Sequence, residues 1–167
     1  MGADDAAELE PGALAWVEEF ALTWDGSHSA RMEGRIVGLL MIADAPYLSS
    51  QQIATLLSAS AGAVSTGTRR LVEVGFIKRH VVTGDRNHYF RVEDDIWGSW
   101  LATERLYLPK LQRVIGEGLA HAGSASGPRT RLDNAGHYME WLAQHHRQML
   151  AEWEAYRDAL ADENGAP

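Results

Sequence analysis

The residues most able to do chemistry lie between Ser60 and Val92, where Arg69, Arg70, Lys78, Arg79, Arg86 and Arg91 face only Glu73 and Asp85. That stretch carries +4 in a chain whose net charge is −8, which leaves −12 on the rest. A basic island on an acidic body is expected where one element meets phosphate and the remainder must avoid it. Other chemistries lack their residues. There is no cysteine, which excludes disulfides, thiolate metal sites and a thiol nucleophile. No phosphate loop, Gly-x-Ser-x-Gly elbow or dinucleotide fingerprint occurs, so neither catalytic residues nor a cofactor are expected. His137, His145 and His146 share one helical stretch, but neighbours on a helix point about 100° apart and no His-Glu-x-x-His spacing accompanies them. A metal site is not expected.

The elements that must position the cations can be read in order. Leu14, Trp16, Val17, Phe20, Ala21 and Trp24 recur at helical spacing from about Pro11. Ile36, Val37, Leu39, Leu40 and Ile42 make a second, buried helix that opens near His28 and stops before Ala45-Pro46. Ser49 with Gln52 reads as a capping box for a short helix ending at Ser58-Ala59. Ser60 caps the next helix, which turns Val64, Thr68 and Leu71 inward and closes on Gly75, where a left-handed residue is wanted. Residues 76–82 and 87–92 then read as two strands around Thr83-Gly84-Asp85-Arg86. A helical pattern returns at Ile96 and runs to about His121, kinked or restarted at Pro109. After a small-residue linker at 123–128, Leu132, Ala135, Met139, Leu142, His146, Met149, Trp153, Tyr156 and Leu160 follow a heptad seam, with His146 its one polar member.

Two short helices, a tight turn and a charged hairpin form a winged helix-turn-helix, whose second helix is shaped for a major groove. The expected fold is mainly α with a small β-hairpin wing, the winged helix-turn-helix being flanked by N- and C-terminal dimerisation helices. Its expected segments are 1–27, a dimerisation helix; 28–95, the winged helix; and 96–167, a helical dimerisation region. The outward set of the second helix includes Gly62, Ser65, Thr66, Arg69 and Arg70, beside the cap Ser60. Small residues let the backbone approach base edges, the hydroxyls bond bases or phosphates, and Arg69 pairs with guanine or phosphate. Arg86 at the hairpin tip is placed for a minor groove, with Lys78, Arg79 and Arg91 along the strands for backbone phosphates. Ser58 stands where glycine is common in this motif, and Gly67 where an apolar residue is usual. A winged helix that binds only protein is the alternative function.

The element order, with Gly34-Arg35-Ile36-Val37-Gly38-Leu39-Leu40 before the motif, Gly84-Asp85-Arg86 at the wing, Tyr89-Phe90, and Asp95-Ile96-Trp97 after it, resembles the MarR superfamily of bacterial regulators. It is most similar to the GbsR branch, named for control of glycine-betaine synthesis. The central pattern of Asp-x-Arg at the wing is not kept, since Asn87 follows Asp85 by two, and the usual Leu-Thr after the wing is replaced by Val92-Glu93. The resemblance implies a homodimer on an inverted-repeat operator in double-stranded DNA, often a repressor released by a small-molecule effector, with Asp85 bracing the wing.

Six tryptophans suit core packing or an aromatic-walled pocket. If an effector pocket exists, its wall is expected at Trp24, His28, Arg31, Arg35, Trp97 and Trp100, and the two arginines would favour an anion. The seam requires a covering partner, either a second copy or the chain's own earlier helices. Leu14, Val17, Leu132, Met139, Leu142, His146, Met149, Trp153, Tyr156 and Leu160 are the expected dimer interface. The longest apolar run, Ile36 to Ala43, is far short of the roughly 20 residues that span a bilayer, so no membrane partner is expected. The acidic opening lacks the form of a secretory signal, and the expected location is the cytoplasm.

Overall fold

The computed structural model describes residues 9–25, 30–104, 106–122 and 126–163. It contains α1 (Pro11–Asp25), α2 (Arg31–Ile42), β1 (Leu48–Ser49), α3 (Ser50–Leu56), α4 (Ala61–Val74), β2 (Lys78–His80), β3 (Tyr89–Arg91), α5 (Ile96–Glu104), α6 (Leu108–Gly118), a 3-10 turn (Leu119–His121) and α7 (Ser126–Glu163). The chain divides into two compact units, the first ending at Ile96 and the second beginning at Trp97.

In the first unit, α1 and α2 pack closely because Gly34 has no side chain. A Cβ there would lie 2.7 Å from Trp24 Cβ and 2.8 Å from Ala21 Cα. The helix expected within residues 1–27 therefore shares the core of the winged helix, with Val17 and Ala21 fully enclosed. Ile36, Leu39, Ile53, Leu57, Val64, Leu71, Ile77 and Phe90 complete that core. Gly67 on α4 makes room for a side chain rather than for a backbone: a Cβ would stand 2.8 Å from Ile36 Cδ1, so the apolar group usual at this position is supplied by α2 instead.

Local chemistry sets the helix ends. Ser49 Oγ accepts from Gln52 N at 3.1 Å while Gln52 Oε1 accepts from Ser49 N at 2.8 Å, the reciprocal capping box. Ser58 takes φ +48°, the left-handed turn that a glycine would make without strain; for a residue with a Cβ this costs roughly 1–2 kcal/mol. Gly75 ends α4 at φ +87° and its N–H bonds the carbonyls of Leu71 and Val72.

The sheet has three strands rather than the hairpin's two, in the order β1-β3-β2, all antiparallel. Leu48 pairs with Phe90 and Ser49 with Tyr89, while Lys78, Arg79 and His80 pair with Arg91, Phe90 and Tyr89. The hairpin strands are shorter than 76–82 and 87–92 because the ladder holds only beside the core.

In the second unit the long apolar pattern after Ile96 is interrupted, and Pro109 sits in the first turn of α6, where its missing N–H has no partner to lose. Pro128 likewise falls in the opening turns of α7. At 38 residues, α7 is about 57 Å long at 1.5 Å per residue. It packs on α6, with Gly118 admitting Leu132: a Cβ on Gly118 would lie 3.2 Å from Leu132 Cδ2. Among the described residues no helix is long and apolar enough to cross a membrane.

Candidate nucleic-acid interface

Helix α4 presents two faces. Val64, Gly67, Thr68 and Leu71 are buried, and the Thr68 hydroxyl is turned into the helix, donating to Val64 O at 2.8 Å. Ala61, Gly62, Ser65, Thr66, Arg69 and Arg70 are all exposed. Ser60 Oγ is used as the cap and accepts from Ala63 N at 3.2 Å. The open surface at the start of α4 is thus small and polar, with cations one turn further on. Such a face admits a groove edge and has hydrogen-bonding groups to read it.

The cations divide into two groups. Among the described residues Arg69, Arg79 and Arg86 carry no ion pair, and all three are exposed. The others are tied to carboxylates. Arg70 Nε lies 3.4 Å from Glu33 Oε1 of α2. Glu33 is buried, and burial pushes its carboxyl above the usual range, with Arg70 opposing the rise. Lys78 Nζ and Arg91 Nη2 each lie 2.9 Å from the same oxygen of Glu93. The bond from Lys78 is the largest influence on the Glu93 carboxyl, and with the help of Arg91 it holds that carboxyl below its ordinary range against the opposing effect of burial.

The wing turn is built around Asp85. Gly84 supplies φ +86°, Asp85 N bonds Val82 O at 3.1 Å, and the carboxylate accepts from Asn87 N at 2.8 Å and from the Tyr89 phenol at 2.6 Å. The Tyr89 bond, followed by the Asn87 amide, keeps the Asp85 carboxyl below its usual range and raises the phenol above its own. Tyr47 packs edge-on against Tyr89 and stacks on His80 at 4.1 Å, fastening the base of the wing. Arg86 therefore projects from a closed turn.

No family model matches the chain. A relative does: the HTH-type transcriptional regulator MmpR5 of Mycobacterium tuberculosis (strain ATCC 25618 / H37Rv) is 33% identical over 127 residues, which cover 76% of this chain and 77% of that protein. The chain belongs to the helix-turn-helix transcriptional regulators. A solved structure described as a transcriptional regulator agrees in fold, with a TM-score of 0.76 and 27% identity over 87% of this chain and 99% of the other.

Of the expected effector wall, His28 lies outside the described residues. Trp24, Arg31 and Arg35 belong to the first unit, and Trp97 and Trp100 to the second. Trp24 is buried between Phe20 and Phe76, with ring centroids 5.6 and 4.7 Å away. Glu18 holds both arginines, Arg31 at 2.9 Å and Arg35 at 2.6 Å, and Arg35 also donates to Leu57 O at 2.7 Å. Trp97 is half exposed and Trp100 partly buried.

Along the expected dimer seam, Leu132, Met139, Leu142, His146 and Trp153 are half-buried, while Met149, Tyr156 and Leu160 are exposed. Leu14 is half-buried. Val17 is fully enclosed by the first unit's own core, so the contact expected of it with a second copy is used within the chain instead. Sequence reasoning missed Glu33 and Glu93 as counterions. The one signal for Glu93 was the replacement of Leu-Thr by Val92-Glu93 after the wing.

Proposed function

We propose that this regulator is a homodimeric, sequence-specific DNA-binding repressor of the MarR superfamily, nearest the GbsR branch, working in the cytoplasm. The observation that carries this reading is the pairing of an open, small and polar surface at the start of α4 with unneutralised cations at Arg69, Arg79 and Arg86. In this reading α4 enters a major groove. Ser65, Thr66 and Arg69 read base edges, Ser60 and Gly62 let the backbone approach, and Arg86 follows into the adjacent minor groove. Arg70, Lys78, Arg79 and Arg91 serve the phosphate backbone.

Dimerisation is assigned to the seam of α7, whose exposed Met149 and Tyr156 call for cover. Release by a small-molecule effector is part of the proposal. An anionic effector at Arg31 and Arg35 would have to displace Glu18, whose carboxyl is pulled up by burial but held lower still by its two arginine partners.

Selection of duplexes from a random pool by the purified protein tests the reading. The recovered sequences should share an inverted repeat with half-sites about one helical turn, ~34 Å, apart or a near multiple of it. Recovery of no common sequence by a folded protein would favour a winged helix that binds only protein.

A further inference from the structure

The exposed cations of the wing strands are not equivalent to those of α4. Lys78 and Arg91 are direct cross-strand partners, so two like charges stand opposite each other, an arrangement that destabilises a sheet unless it is countered. Glu93, two residues beyond Arg91, supplies the counter-charge through a single oxygen, Oε1, 2.9 Å from each cation. Two cations converging on one anionic oxygen could equally receive an oxygen of a phosphate, which takes the same charge-assisted hydrogen bonds as a carboxylate. None of the three side chains is enclosed: Lys78 is 50% exposed, Arg91 36% and Glu93 30%. An ion pair this exposed is worth little in water, and both cations remain within reach of a second anion while Glu93 stays beside them. Arg69, Arg79 and Arg86 have no such internal competitor.

We propose that Glu93 is an internal phosphate mimic, occupying the anion position that Lys78 and Arg91 offer to the DNA backbone and thereby setting how strongly the wing grips DNA of any sequence. This rests on the DNA-binding reading above. Sequence-independent affinity comes almost wholly from cations that neutralise phosphates. A carboxylate that halves the net charge of the Lys78–Arg91 pair reduces that term while leaving the reading face of α4 untouched. The protein gains discrimination by weakening its grip on wrong sequences.

The test is fluorescence anisotropy of the full chain with a mixed-sequence duplex over a range of salt, for wild type, Glu93→Gln and Asp94→Asn. Asp94 is exposed and adjacent in the chain, and its substitution changes net charge by the same amount. Glu93→Gln should tighten binding and steepen the plot of log affinity against log salt by about one unit, since each neutralised phosphate contributes about 0.9. Asp94→Asn should have less than half that effect. Equal effects of the two variants, or an unchanged slope for Glu93→Gln, overturn the proposal alone. A wild type that binds no duplex at any salt overturns the DNA-binding reading and the proposal with it. Should Glu93→Gln fail to fold by circular dichroism, Lys78→Gln serves instead. It leaves Arg91 tied one-to-one to Glu93 and should flatten the slope by about one unit, and an unchanged slope again overturns the idea.

Discussion

The Tyr89 phenol donates a 2.6 Å hydrogen bond to Asp85 Oδ2, joining the strand β3 to the tip of its own wing. The other carboxylate oxygen accepts from Asn87 N, so one aspartate closes the turn from both sides. Tyr89→Phe removes the phenol and no cation. It should weaken binding to every duplex by a similar factor with the salt slope unchanged, as read by anisotropy. A changed slope would mean that Tyr89 has some other role. Asp85's carboxyl is depressed in the fold, so its bracing is present above the ordinary aspartate value of about 3.9 and is lost as pH falls below it.

Gly34 and Gly67 are required for different reasons. At Gly34 a methyl would meet the backbone of α1 at Ala21 Cα, whereas at Gly67 it would meet only the end of the Ile36 side chain. Gly34→Ala should cost about 1–3 kcal/mol through overpacking, and Gly67→Ala less, because part is offset by up to about 1 kcal/mol of helix propensity. Thermal unfolding of both variants checks the order.

Glu33 is a buried carboxylate whose folded pKa lies above its unfolded value. Its contribution to stability is therefore full below the unfolded pKa of about 4.3 and is lost as pH rises through the folded one. Glu33→Gln removes that loss. The variant's stability relative to wild type should be higher at pH 7 than at pH 4, measured by urea unfolding at each pH. A relative stability that falls from pH 4 to 7 would show that the Arg70 pair outweighs burial.

Much of this architecture was legible because it is local. Ser49 with Gln52, Ser60 and Gly75 announce helix ends through backbone chemistry confined to a few residues, and each cap forms as its residue types require. The two faces of α4 follow from the spacing of Val64, Thr68 and Leu71. Strand β1 was not legible, since Leu48 and Ser49 become a strand only by pairing with Phe90 and Tyr89, some 40 residues away. The same limit hid the counterions. Glu33 sits in an apolar helix and Glu93 in a polar loop, and only folding brings Arg70 to one and Lys78 to the other.

The heptad seam of α7 leads to a prediction about assembly. With Met149 and Tyr156 exposed in the protomer, Met149→Glu together with Tyr156→Glu would place charges in the proposed interface. An unpaired buried charge costs several kcal/mol, so the dimer constant should weaken at least about a hundredfold. Sedimentation equilibrium should then show protomers where wild type shows dimers. An unchanged assembly would remove this face of α7 from the interface.

Arg69→Ala tests most directly whether α4 reads sequence. Wild type and variant would be titrated by anisotropy, over several salt concentrations, against a duplex selected by the wild type and a scrambled one. Wild type should bind saturably and with salt sensitivity, with a clear preference for the selected duplex. In Arg69→Ala that preference should shrink by about 1–3 kcal/mol, while affinity for the scrambled duplex falls only as the loss of one cation requires. Equal losses on the two duplexes would assign Arg69 to the backbone and contradict the claim that its side chain reads a base.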